Sequence, residues 1–326
     1  MEDAMDVKVQ MAACGEVERL EVVPCGAEEP GPGEIRLRHR AIGVNFMDIY
    51  HRTGLYELPL PAVPGVEGAG VVEAVGPGVA GLAPGERVAY AGVPGAYAAT
   101  RLLPAWRAIP LPEAISDEAA AASLLRGLTA HMLLTLTCPV TAGSVLLVHA
   151  AAGGLGALVT RWASRLGAVV IGTVGSEEKA QAARASGAAA VIVGRDADLP
   201  ARVADLTRGR GVDFAIDGIG GGMLARTLAC LRPFGTVASV GQAAGPIPPL
   251  AVEEVGPRRS LSLARPSVMA YAADRARYPE AARAVLAAMR EGIAGEIGGT
   301  YPLAEAGRAQ RDLESGRSRG SLLLLP

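Results

Sequence analysis

The sequence predicts an α/β protein in which a β-rich block is joined to a doubly wound parallel sheet. Three observations carry this. The stretch 145–179, VLLVHAAAGGLGALVTRWASRLGAVVIGTVGSEEK, spells strand, glycine turn, helix and second strand. Beyond it, short apolar runs near 189–193, 212–216 and 235–240 alternate with helical segments, the pattern of a parallel sheet with helical crossovers. Before it, the first hundred residues are short strand-like segments cut by Pro/Gly turns such as Pro30-Gly31-Pro32-Gly33 and Ala83-Pro84-Gly85-Glu86, which suits an antiparallel, barrel-like block.

In chain order, Glu34–Arg38 alternates apolar and polar residues, Gly70–Val75 is an apolar run, and Glu86–Tyr90 and Ala96–Ala99 are further strand candidates. After Pro110-Leu111-Pro112 the pattern becomes helical. Ser116 suits an N-cap, Asp117 and Glu118 suit the first turn, and Ala-rich sequence follows to Leu125. Gly127 interrupts, and Leu128–Leu136 is expected to form a separate helix. After Gly256-Pro257 come a short strand, Leu261–Ala264, a helix around Pro279–Glu291, and a final apolar strand, Leu322–Leu325, in a tail expected to return to the first block.

Composition narrows the classes of function. The 326 residues are 50% hydrophobic and 20% charged, with a formal net charge of −2 and acid and base mixed throughout. No polyanion-binding surface is announced, and with 3 Phe, 7 Tyr and 2 Trp no basic patch with interleaved aromatics points to RNA. The N-terminal MEDAMDVKVQ lacks an apolar signal region and no run of 18 apolar residues occurs, so no membrane partner and a cytoplasmic location are expected. Cys14, Cys25, Cys138 and Cys230 are scattered without a C-x-x-C, which suggests neither a disulfide framework nor a structural zinc site.

The glycine turn is the most specific signal. Ala151, Gly153 and Gly156 fill the three small positions of a G-x-G-x-x-G pattern, followed by Leu155, Leu158, Val159, Trp162, Ala163 and Leu166 at helical spacing and closed by Gly167. Small residues there allow a tight turn, a close backbone approach to a pyrophosphate and close packing of helix on strand. A dinucleotide site preferring NAD usually places an acid at the end of the second strand; here Gly175 and Ser176 stand instead, and Lys179, one of two lysines in the chain, follows. That favours NADPH, with Lys179 over the 2′-phosphate or, alternatively, solvated at the start of a surface helix. Arg195, after the third strand, is a second candidate for the phosphate, a surface arginine being its competitor.

Several segments together resemble a known family: GVNFMDIYHRTGLY at 43–56, PGVEGAGVV at 64–72, AASLLRGLTA at 121–130, HAAAGGLG at 149–156, GTVGSEEKA at 172–180 and RPS at 265–267. Across nearly its whole length the chain resembles the zinc-free quinone oxidoreductases (NADPH:quinone reductases, zeta-crystallin-like) of the medium-chain dehydrogenase/reductase superfamily. The resemblance implies a discontinuous GroES-like catalytic domain (1–125 and 266–326) around a Rossmann domain (126–265). It also implies a homodimer joined through the edge strand near Leu261–Ala264.

Zinc-dependent relatives of this family use Cys and His where this chain has Asn45 and Val66. Valine cannot ligate zinc and asparagine is a poor ligand, so no metal is expected. The expected reaction is hydride transfer from NADPH to a quinone, with orientation supplied by an interdomain cleft. The alternatives are an alkenal or 2-enoyl reductase acting on an α,β-unsaturated carbonyl, and a non-enzymatic NADPH-binding structural or RNA-binding protein.

Candidate roles follow from the same resemblance. Asn45 hydrogen-bonds near the nicotinamide or the substrate carbonyl, or else caps a loop. Tyr50 donates a hydrogen bond or proton to a developing oxyanion and Tyr56 stacks on a flat substrate, or both are packing tyrosines. Asp48 orients Tyr50 or Arg52, or lies in a surface turn. Thr129, expected near the start of the helix after Gly127, matches a nicotinamide-side threonine, with capping as the alternative. Ala152, Gly153, Gly154, Leu155 and Gly156 hold the pyrophosphate, and Gly241 belongs to the cofactor set. Arg265 reaches the cofactor or the cleft mouth, or pairs across a dimer interface. Relatives carry a phosphate-side Tyr where Gly194 stands here and an Arg at the position of Gly316, leaving Arg317 as the neighbouring candidate.

Overall fold

The computed structural model describes residues 6–316 and 318–326. It divides into two compact units, one of residues up to Leu128 together with Met269–Pro326, the other Thr129–Val268. In chain order the elements are β1 (Val7–Gln10), β2 (Glu21–Pro24), β3 (Glu34–Val44), α1 (Phe46–Thr53), β4 (Glu67–Val75), β5 (Arg87–Ala91), β6 (Thr100–Pro104), β7 (Ile109–Pro110) and α2 (Asp117–Met132). There follow β8 (Val145–Val148), α3 (Gly154–Arg165), β9 (Val169–Val174), α4 (Glu177–Ala185), β10 (Ala190–Val193), α5 (Leu199–Thr207), β11 (Val212–Asp217), α6 (Met223–Cys230), β12 (Leu231–Ser239) and β13 (Ser262–Ala264). The chain ends with α7 (Val268–Ala273), α8 (Arg277–Arg290), β14 (Ile297–Pro302), α9 (Ala306–Glu314) and β15 (Ser321–Leu325).

In the first unit β3 is the spine. Its first half alternates half-buried and buried residues and its second half is almost wholly buried, because it is paired on both sides. Among the described residues the sheet runs β14-β15-β3-β4-β5-β7, with β6 also paired to β3. All of these pairs are antiparallel except β14 with β15. The tail therefore does return to this unit: Leu322–Leu324 of β15 align with Val44–Ile42 of β3. Ile35, Leu37, Ile42 and Val44 pack with Val72, Val88, Tyr90, Leu103, Leu322 and Leu324 as its core. Inside it, His39 donates from Nδ1 to the Ala98 carbonyl (2.7 Å) and its Nε2 meets the Tyr90 hydroxyl (2.9 Å). Burial pushes this imidazole's pKa down to about 3, so it is neutral.

The second unit holds a parallel sheet in the order β10-β9-β8-β11-β12-β13. The strand order reverses between β8 and β11, the arrangement of a dinucleotide-binding sheet, whose ligands lie beyond the carboxyl ends of the strands at that reversal. Leu147, Ile171, Ile192, Val203, Ala215, Leu224, Leu228 and Val237 form the core beneath it.

Two expectations fail. Ala96–Ala99 is not a strand: Ala98 makes a single bridge to Lys8, and the ladder beside β3 starts at Thr100. The residues that precede it, Gly92 and Gly95, sit at positive φ, which turns the chain too often for a ladder to form. Nor does Gly127 end a helix. α2 runs unbroken to Met132 and widens into a π-helical turn at Leu133–Thr137. Gly127 is there because a Cβ would lie against the Val285 side chain of α8, so the glycine marks a close helix approach. Asp117–Thr137 is long and apolar enough to cross a membrane by length and composition, and 67% of its most apolar window is buried inside the protein.

Candidate functional site

In the second unit, the turn after β8 is built from missing side chains. Ala150 adopts φ 49°, and the Gly153 N–H donates to the Ala150 carbonyl (2.8 Å), turning the chain into α3. A Cβ on Gly156 would overlap that same carbonyl oxygen, and one on Gly172 would come 2.7 Å from the Ala151 Cβ. The helix starts at Gly154, so the amides of Gly154, Leu155 and Gly156 lack partners within the helix, and Ala152 and Gly153 lead into it. Backbone donors at a helix N-terminus with nothing larger than hydrogen at the crowded positions fit a pyrophosphate.

At the end of β9, Ser176 caps α4, its Oγ accepting from the Lys179 N–H (3.4 Å). Arg195 comes to the same place: its Nε is 3.9 Å from where a Cβ on Gly175 would stand. The loop carrying it is fixed, with the Gly194 N–H on the Val174 carbonyl (3.0 Å) and Arg226 Nη1 on the Arg195 carbonyl (3.1 Å). Gly175, Ser176 and Arg195 are thus brought together without an acidic side chain where one would select NAD. Gly241 touches the backbone of Gly218, where a Cβ would lie 2.8 Å from the carbonyl oxygen. Arg265 is exposed and donates to Ser239 Oγ (2.8 Å) at the end of β12. Thr129 lies deep in α2, with more than ten helical residues before it, which corrects its expected place at a helix start. Arg317 lies outside the described residues.

A buried polar cluster that the motifs did not announce lies under these strand ends. His149, 4% exposed, meets Thr173 Oγ1 through Nδ1 (2.9 Å) and Thr227 Oγ1 through Nε2 (2.8 Å). Asp217 Oδ1 accepts from the Ile219 (2.8 Å) and Gly220 (3.1 Å) amides. Burial lowers the His149 pKa, with Asp217 opposing.

In the first unit, Asn45, Asp48, Tyr50 and Tyr56 gather around α1. Asn45 heads the helix and Asp48 Oδ2 accepts from its backbone N–H (2.8 Å) and from the Tyr97 hydroxyl (2.9 Å). This corrects the surface turn weighed for Asp48 and its pairing with Arg52. It is fully buried, and Arg52 goes instead to Gln310 Oε1 (2.7 Å), Gly15 O (2.7 Å) and Glu314 Oε1 (2.7 Å). Burial raises the Asp48 pKa to about 7, against the lowering effect of its two hydrogen bonds. Tyr50, 8% exposed, packs between Phe46 (centroids 6.2 Å apart) and Tyr56, which meets it edge to face at 5.3 Å. Tyr50 is a packed ring and Tyr56, half-buried, is the more accessible of the two.

Asn45 Nδ2 donates to Glu67 Oε1 (2.8 Å), and Glu67, fully buried, also accepts from the Leu125 N–H (2.8 Å). Arg126 Nη1 lies 3.5 Å from the same carboxylate. Motif reasoning at this segment rested on Val66 and missed Glu67 beside it. A carboxylate inside the apolar run VEGAGVV was the available signal.

This donor set does not fit zinc. The Asn45 amide is committed to Glu67, the Glu67 carboxylate to three donors, and Val66 is a buried aliphatic chain. No group of three or more His, Cys, Asp or Glu side chains that could hold a metal occurs among the described residues.

A dinucleotide turn at the carboxyl ends of a 3-2-1-4-5-6 parallel sheet, in a chain whose two ends together make a β-barrel-like unit, defines a medium-chain dehydrogenase/reductase. The comparisons agree. Residues 31–113 match the alcohol dehydrogenase GroES-like domain family and residues 154–287 the family described as zinc-binding dehydrogenase. The chain is 41% identical to a quinone oxidoreductase of Pseudomonas aeruginosa over 99% of this chain and 100% of the relative. It is 42% identical to a 2-haloacrylate reductase of a Burkholderia species over 91% of this chain and 92% of the relative. The crystal structure of Escherichia coli quinone oxidoreductase complexed with NADPH superposes with a TM-score of 0.94 at 38% identity, covering 98% of this chain and 100% of that one. The chain belongs to the zinc-free quinone oxidoreductase branch of the medium-chain dehydrogenase/reductase superfamily.

Proposed function

We propose that the protein is an NADPH-dependent quinone reductase of the cytoplasm. The observation that carries this is the Gly175–Ser176 turn with Arg195 beside it, in a chain about 40% identical along its whole length to quinone oxidoreductases. Bound NADPH supplies the hydride, and a quinone that takes it up with a proton becomes a hydroquinone.

The chain's own residues then bind and orient. The amides of Gly154–Gly156, with Ala152 and Gly153 before them, hold the pyrophosphate, while Ser176, Lys179 and Arg195 surround the 2′-phosphate and select it over NAD. Thr129, Gly241 and Arg265 serve the nicotinamide half. Arg317 is an additional candidate for the phosphate. Asn45 orients nicotinamide or substrate, and Tyr56 offers a ring face to a flat acceptor. The Thr129–Val268 unit binds the cofactor and the other unit the substrate. Copies pair into a homodimer through β13, the edge strand of the parallel sheet, which light scattering reads directly.

A second reading, reduction of an α,β-unsaturated carboxylate or carbonyl, is favoured by the 42% identity to a 2-haloacrylate reductase. Steady-state oxidation of NADPH and NADH against 1,4-benzoquinone, 9,10-phenanthrenequinone, 2-chloroacrylate and an enone separates them. Turnover is expected with the quinones and NADPH. Turnover confined to the acrylate or enone replaces the quinone reading with the second one, and tight NADPH binding without turnover overturns both.

A further inference from the structure

Asn45 is gripped twice, and the two grips differ. Asp48 holds its backbone N–H at the head of α1, whereas Glu67 holds its side-chain amide. Glu67 is a fully buried carboxylate in a run of apolar and small residues, and it has three neighbours that are all donors. Asn45 Nδ2 and Arg126 Nη1 face Oε1 (2.8 and 3.5 Å), and the Leu125 N–H faces Oε2 (2.8 Å). Arg126 is itself buried, and its other nitrogen donates to the carbonyl of Val44, the residue before Asn45 (2.8 Å). One guanidinium therefore fixes both the carboxylate and the backbone that presents the amide. Space for this is made by Gly43, where a Cβ would collide with the Glu67 carboxylate.

We infer that Glu67, anchored by Arg126, is a positioning residue that sets which way the Asn45 amide points. Burial raises the Glu67 pKa, and Arg126, Asn45 and Leu125 oppose it. With donors on both oxygens an acid proton would have no acceptor, so the carboxylate only accepts, holds the NH2 end of the amide and forbids the flipped orientation. The ion pair thus does for Asn45 what bonds to a metal would do for a ligating side chain. This rests on the role given to Asn45 in the function proposed above.

Glutamine is the discriminating substitution. All three neighbours donate, so the NH2 end of the glutamine introduced by Glu67→Gln must face a donor. Against the Leu125 N–H (2.8 Å) the clash has no relief, whereas on the other side it is relieved when Asn45 flips, leaving only the longer approach of Arg126 (3.5 Å), and this second arrangement is favoured. In Glu67→Gln, kcat falls about tenfold, the equivalent of one misplaced hydrogen bond, while the NADPH Kd from fluorescence quenching stays within about twofold. In an Asn45→Ala background, where no amide remains to orient, Glu67→Gln produces no further loss. Arg126→Lys keeps the charge with fewer donors, and it gives a smaller loss of the same kind, likewise absent beside Asn45→Ala. This second variant serves if Glu67→Gln folds poorly.

The cycle is run on whichever of the quinone and 2-chloroacrylate the wild type reduces. The choice of acceptor thus judges the proposed function and the cycle judges Glu67. Equal losses in both backgrounds, or an unchanged kcat in Glu67→Gln and Arg126→Lys, overturn the inference.

Discussion

The dinucleotide turn of one unit and the Asn45 cluster of the other are built on opposite principles. The turn works by omission: Gly153, Gly156, Gly172 and Gly175 carry no side chains, which in the function proposed above leaves backbone amides and the cations open to a phosphate. The cluster works by commitment: Asp48, Glu67, Arg126 and Tyr97 place ionisable groups in the interior and bind them to one another and to Asn45, Leu125 and Val44, with Asp48 Oδ1 left without a hydrogen-bond partner among the described residues. The first tolerates no added atom at Gly156 or Gly172. The second tolerates no removed partner, since a buried charge that loses its counterpart keeps its full desolvation cost.

The sharpest test of the contrast is Arg126→Met, which leaves Glu67 without its cation. We expect a loss of about 3–5 kcal/mol in unfolding free energy by denaturant titration, with part of it recovered in Glu67→Gln/Arg126→Met. An Arg126→Met protein as stable as wild type would mean that the carboxylate is already neutral. Next comes Gly156→Val, which drives a branched side chain into the Ala150 carbonyl. NADPH affinity should fall by roughly 100-fold, about 2.7 kcal/mol, by fluorescence titration. An unaffected Kd would show that the turn can yield.

Arg195→Ala and Lys179→Ala should each weaken NADPH about tenfold, near 1.4 kcal/mol, and leave NADH unchanged. Loss in only one variant would assign the 2′-phosphate to that cation.

The most gradual effect concerns Asp48. Its carboxyl releases its proton near pH 3.8 unfolded but only near about 7 folded. The native state therefore holds a proton that the unfolded chain has lost between those values, and stability from this group is complete below the lower pKa and declines as pH rises through the upper one. The neighbours that face it are Glu67, which raises its pKa, and Arg126 and Tyr97, which lower it. The difference in unfolding free energy between wild type and Asp48→Asn should drift in that direction between pH 5 and 7, by at most about 1.4 kcal/mol per unit, and level off above. A difference flat with pH would show the carboxyl ionised throughout.

The same contrast explains what the sequence disclosed. The turn was legible because its requirements are local: strand, small residues and helix follow one another within a dozen positions. The partners of Asn45 were not, because Glu67 is 22 residues away and Leu125 lies 58 beyond Glu67. Periodicity marks an Arg in an Ala-rich helix as surface, and only the tertiary fold puts Arg126 inside. Gly127 misled for a related reason. A glycine that breaks a helix and a glycine that lets two helices touch look alike until Val285 is in view.

His149 carries a consequence of its own. Thr227 Oγ1 also reaches the Met223 carbonyl (2.9 Å) and Asp217 Oδ2 (3.4 Å), both pure acceptors, and its single hydrogen is spent there. It therefore receives the hydrogen of His149 Nε2, which leaves Nδ1 bare and obliges the Thr173 hydroxyl to donate. The protons of Thr173, His149 and Thr227 lean the same way, giving a polarised thread from β9 to α6 that ends on the Met223 carbonyl, with Asp217 Oδ2 beside it. Charging the imidazole would force Thr173 to reverse, so the thread resists acid, and a ring nitrogen spectrum of this one histidine would report any disturbance of the strand ends that carry the dinucleotide turn.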